Sequence, residues 1–132
     1  MSYPTEIESL IKRAENSLQA AEALHKSGLW DDSASRSYYA AFHAASALLL
    51  SENLRYGSHA GVLRAVSLNF VQTDLMAKEY GQNLNLLARL RHIGDYGEVA
   101  RVTDQQSKQA VTMAKAFIEQ AQRLIKNKYS ED

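Results

Sequence analysis

The chain has 132 residues, 45% of them hydrophobic and 23% charged, with 15 Lys plus Arg set against 15 Asp plus Glu. That length suits one domain, residues 1–132, with a core of its own. Zero net charge argues against a general nucleic-acid coater, whose affinity rests on surplus positive charge, but allows a local basic patch. There is no cysteine, which excludes disulfides and thiolate chemistry.

Pro4 sits at a predicted helix start, with Glu6 and Glu8 suiting the positive end of the dipole. Ile7, Ile11, Ala14, Leu18, Ala21 and His25 recur at three- and four-residue steps and carry this helix to about Lys26. Gly28 is expected to end it in a left-handed cap. Asp31 and Asp32 are expected N-caps for the next helix, Ala34 to Leu50. That stretch, ASRSYYAAFHAASALLL, holds six alanines, and only Arg36 and His43 in it can carry charge near neutral pH. Its apolar run is shorter than the ~20 residues a membrane span needs, so it reads as the central, most buried helix of a bundle.

Ser58 is the predicted cap of a third helix carrying Val62, Leu63, Val66 and Phe70. A short segment from Met76 to Tyr80 follows, separated by Gly81 from a helix over Asn83–Ala100. Leu86, Leu90 and Ile93 form the expected buried stripe of that helix, and Gly94 and Gly97 weaken its end. Thr103 caps the last helix, whose Ala110, Ala114, Phe117, Ala121 and Leu124 face the core. No stretch alternates with period two for long enough to be a strand. The prediction is an all-α, up-and-down bundle of four long helices plus one short helix. No leader or spanning segment is visible, so a cytoplasmic location without membrane association is expected.

Standard phosphate-loop, zinc and nucleophile-elbow patterns are absent, and no metal or cofactor is expected. Two constellations remain. Arg36, Tyr39 and His43 stand at i, i+3 and i+7, on one helical face. An arginine could hold a phosphate there and a histidine could move a proton near neutral pH. The plainer alternative is a buried hydrogen-bond seam that fixes helix register. The second constellation lies in RLRHIGDYG: Arg89, His92 and Tyr96 share a face, while Arg91 and Asp95 are spaced to pair. Clustered basic groups beside an aromatic could clamp a phosphodiester or stack a base. The alternative is a solvated helix end with one ion pair. His59, just after the capping Ser58, is a helix-start polar residue or a further contact. Phe42, Phe70 and Phe117 are expected in the core.

The segments SRSYYAAFHAASALLL, SHAGVL, LARLRHIGDYG and AKAFIEQAQ, in this order from about Leu18 to Leu124, resemble the small stand-alone HEPN-domain proteins. The resemblance implies a helical bundle, commonly a homodimer, associated with RNA or nucleotides. Members are often encoded beside a minimal nucleotidyltransferase as toxin and antitoxin, and toxin members are metal-independent ribonucleases. Those ribonucleases carry Arg, four to six residues, then His. Arg36 and His43 fit this with six residues between them. Toxin members carry the motif in the helix before the last, where this chain has Arg91, His92 and Tyr96 but Asp95 where a histidine is wanted. An ionised carboxylate only accepts hydrogen bonds and cannot replace an imidazole that donates and accepts protons.

The reading is therefore a domain that binds RNA, a nucleotide or a nucleotidyltransferase partner, as a homodimer within a toxin–antitoxin-like module. The alternatives are a metal-independent ribonuclease toxin and a non-catalytic structural adaptor. The candidate catalytic residues are Arg91, His92, Arg36 and His43. The candidate RNA- or nucleotide-binding residues are Arg89, Arg91, His92, Asp95, Tyr96, Tyr39 and His59. The RLRHIGDYG segment is expected to be the site ahead of Arg36–His43, which is expected to be buried among alanines.

Overall fold

A computed structural model of the chain describes residues 4–130. Among them there are five α-helices and no strand: α1 (Thr5–Lys26), α2 (Trp30–Leu50), α3 (His59–Val66), α4 (Lys78–Tyr96) and α5 (Asp104–Tyr129). Four are long and α3 is the short one, so the all-α expectation holds. No helix among the described residues is long and apolar enough to cross a membrane.

The centre is α2, which packs against α1, α3, α4 and α5. Ala34, Ala40, Ala41, Ala44, Ala45 and Ala47 are all buried there, together with Ser33, Ser37, Tyr38, Leu48 and Leu49. Small side chains on several faces let neighbours approach closely, and the core then closes on Phe117, Leu84, Leu87 and Ile125. The hydroxyl of Ser33 donates to the Ala21 carbonyl at 2.7 Å, so that this buried polar group is satisfied. One turn further along α1, His25 Nδ1 and Ser107 Oγ share a 2.8 Å hydrogen bond, tying the end of α1 to the start of α5.

Helix punctuation follows the expected chemistry at three places. Gly28 adopts φ +78° and ends α1. Ser58 Oγ accepts from Gly61 N–H at 3.0 Å to start α3. Thr103 and Gln106 form a reciprocal capping box at α5.

Elsewhere the structure differs. The helix α2 begins at Trp30, and neither Asp31 nor Asp32 is its cap. Both stand in its first turn, where carboxylates still suit the dipole, and Asp31 Oδ1 accepts from Val102 N–H at 2.9 Å instead. Met76–Tyr80 is not a separate helix. One helix runs from Lys78 through Gly81 to Tyr96, because Gly81 falls in the first turn, where it interrupts little. The same helix stops at Tyr96 rather than Ala100. Its fully buried stripe is Leu84, Leu87 and Leu90, while Leu86 and Ile93 are half-buried, since α4 packs on α2 and α5 together. The third helix gives way to a π turn over Ser67–Val71, with Gln72 N–H bonded to the Ser67 carbonyl at 2.8 Å. Leu124 is half-buried rather than fully core.

The weak helix end expected at Gly94 is a packing point. A Cβ there would stand 2.7 Å from the Asp31 carbonyl oxygen. Glycine is what lets the last turn of α4 lie directly on the first turn of α2.

Candidate functional site

Three helices meet around Tyr39. The α2 periodicity sets Arg36, Tyr39 and His43 on its outward strip, α4 brings Arg91, Asp95 and Tyr96, and the start of α3 brings His59. The decisive contact is Arg91 Nη2 donating to the Tyr39 hydroxyl at 2.9 Å. It fuses the two constellations, fifty-two positions apart in sequence, into one cluster.

The Arg91 guanidinium is boxed by aromatic rings. Its Cζ lies 5.5 Å from the ring centres of both Tyr38 and Tyr39 and 5.7 Å from that of Tyr96. Arg36 Cζ also lies over the Tyr39 ring, 5.8 Å from its centre. Tyr38 shares a 3.0 Å hydrogen bond with His59 Nδ1, and His59 stacks against Phe42 with 4.3 Å between centres. His43 lies against both Tyr39 and Phe42.

Burial is the largest single influence on the electrostatics, and neighbouring charges act second. Burial first, then Arg13, Arg36 and His59, pushes the His43 pKa below its ordinary 6.5, so that the ring is neutral at physiological pH. Burial pushes the Tyr38 hydroxyl up to about 12, with Arg91 opposing and Tyr39 assisting, so it stays protonated. Burial weighs against charge on Arg91, but the Tyr39 hydrogen bond and the fields of Tyr39, Asp95 and Tyr96 raise its pKa overall. Asp95 Oδ2 lies 3.0 Å from Arg91 Nε, yet this buried Nε makes no directed hydrogen bond. The pair is held by charge rather than alignment.

Arg36 is exposed, contrary to the burial expected from its alanine neighbours, because α2 turns its one polar strip outward. Conversely Arg91 is the more enclosed arginine, its side chain 21% exposed. Phe42 is half-buried rather than core, and forms part of this cluster. His92 is exposed and stacks on exposed Tyr96 at 5.1 Å, at the cluster's edge. Arg89 is exposed and stands outside the contacts that define the cluster. Sequence reasoning missed Arg13 and Tyr38. Tyr38 was detectable as the neighbour of Tyr39, but Arg13, on α1, carries no motif and enters only through helix packing. No group of three or more His, Asp or Glu residues suited to a metal occurs among the described residues.

A model of the HEPN domain matches residues 7–125 of the chain. The chain belongs to the HEPN domain family. Among curated relatives, this HEPN protein is 35% identical over 121 residues to a candidate toxin of Methanocaldococcus jannaschii, covering 92% of the chain and 90% of that protein. It is equally similar to a UPF0332 protein of Thermotoga maritima, 35% over 121 residues, covering 92% of each. A second Methanocaldococcus jannaschii candidate toxin is 28% identical over 128 residues, covering 97% of the chain and 87% of that relative. The crystal structure of an archaeal HEPN homologue superimposes with TM-score 0.65 over 90% of this chain and 97% of that one. At 19% identity the likeness is one of fold.

Proposed function

We propose that this HEPN domain binds RNA through the Arg91–Tyr39 cluster. The observation that carries the reading is the Arg91–Tyr39 hydrogen bond, which gathers Arg36, Arg91, His43 and His59 about a set of aromatic rings. Arginines supply phosphate contacts, and exposed Tyr96 and half-buried Tyr39 offer ring faces to unpaired bases. Arg13 and Arg36 add to burial in depressing the His43 pKa, so these two cations lie close enough to act on this histidine within a neutral chain. The relatives that bear the name of toxin support work within a toxin–antitoxin-like module; a nucleotidyltransferase antitoxin as its partner is what the family resemblance implies. A homodimer that brings two such patches together fits this reading.

The test is fluorescence anisotropy of a labelled single-stranded RNA at several salt concentrations. Arg36→Ala and Arg91→Ala should each weaken binding and make the salt dependence shallower by about one phosphate contact. Parent-like affinity and slope in both variants would overturn the reading.

A ribonuclease is the second reading. It is favoured by Arg36 and His43 sharing one strip with His43 unprotonated, the form a general base requires. Incubation with total RNA in the presence of a chelator separates the two. Cleavage that persists there and falls roughly 10²–10⁴-fold in His43→Ala supports catalysis.

A further inference from the structure

We infer that Asp95 is a built-in competitor for the phosphate that Arg91 would hold, and so sets how strongly the patch takes an anion. The inference takes its ligand from the RNA-binding reading above.

Arg91 cannot leave its position cheaply. Its Nη2 is bonded to Tyr39 at 2.9 Å, and three tyrosine rings surround the guanidinium. An incoming anion must therefore come to Arg91 where it stands. Asp95 is already there, 3.0 Å from Nε. The contact leaves that N–H without a directed hydrogen bond, so a better aligned oxygen has something to gain. Asp95 sits one turn further along the same helix, its side chain 29% exposed, and can rotate toward solvent when displaced. Among the described residues no other carboxylate pairs with Arg91.

The exchange favours polyanions. A lone phosphate that replaces a carboxylate at Arg91 gains little, because one anion substitutes for another. A strand that also reaches exposed Arg36 keeps the second contact as net gain. Asp95 thus discriminates against single phosphates by holding the first contact near balance.

Asp95→Asn keeps the shape and removes the charge, and Asp95→Ser removes the charge with a shorter side chain should Asn disturb the helix end. Labelled single-stranded RNA should bind either variant roughly two- to fivefold more tightly than the parent. The gain should vanish in the Arg91→Ala background. Weaker or unchanged binding in the Asp95 variants overturns the inference and makes Asp95 a residue that positions Arg91. A second readout needs no RNA. The Arg91 Nε–H resonance is followed by NMR during titration with inorganic pyrophosphate. It should respond at lower pyrophosphate in Asp95→Asn than in the parent, and equal midpoints overturn the competition. If the parent fails to bind RNA, the functional reading falls while this titration still decides the role of Asp95.

Discussion

Arg91 on α4 donates a 2.9 Å hydrogen bond to the hydroxyl of Tyr39 on α2. A charged donor here meets a neutral acceptor in a partly buried setting, where such bonds count for more than at the surface. Tyr39→Phe removes the acceptor and little else. The expected loss is about 1–2 kcal/mol of folding stability, read by urea denaturation, together with weaker RNA binding. An unchanged urea midpoint would show that the bond contributes nothing to holding α4 on α2.

Gly94→Ala should destabilise the fold. The added methyl would stand 2.7 Å from the Asp31 carbonyl, a backbone atom with no flexible end to move aside. Overpacking of this kind costs about 1–3 kcal/mol, against a helix-propensity gain of at most ~1 kcal/mol. Thermal unfolding at or above the parent midpoint would show that α2 and α4 part freely at this point.

The fall in stability on mild acidification should depend on His43. Its folded pKa lies below the ordinary 6.5 through burial first and then Arg13, Arg36 and His59. As the pH drops through that ordinary value, the unfolded chain takes up a proton that the folded chain refuses. Stability is therefore fully present above 6.5 and declines as pH falls toward the folded pKa. Urea midpoints taken between ~pH 7 and ~pH 5 should fall more steeply in the parent than in His43→Gln. Parallel profiles would remove His43 from the account.

Phe117 is completely buried on α5, facing the central helix, in contrast to half-buried Phe42. Phe117→Ala should cost about 3–5 kcal/mol through the cavity it opens. A cost below ~1 kcal/mol would mean that the bundle collapses around the gap.

The elements were legible wherever local chemistry decides them. Ser58 and Thr103 cap as their side chains dictate, and Gly28 takes the positive φ that suits glycine. Reading failed where a residue serves a distant partner. Asp31 has the side chain of a cap for its own helix, but its oxygen accepts from Val102 in the link between α4 and α5. Gly81 looks like a break, though glycine in a first turn interrupts few helical bonds. Gly94 looks like a weak end, though its missing side chain is what admits Asp31. The site residues were individually visible as charge and aromaticity in alanine-rich or glycine-flanked surroundings. Their union was not, because the Arg91–Tyr39 bond depends on how α4 lies on α2 and on nothing local to either segment. Alanine neighbours also misled about Arg36, since a helix surrounded on most sides still keeps one strip facing water.

Gathering positive groups on one side has an arithmetic counterpart. The chain carries equal numbers of acidic and basic residues, so with Arg13, Arg36, Arg91 and Asp95 set apart, carboxylates outnumber cations in the remainder. The four chosen groups thus carry a surplus of two positive charges in a chain that is neutral as a whole. On the RNA-binding reading proposed above, that local surplus would turn the Tyr39 side toward an approaching strand before contact, although the chain as a whole exerts little net pull.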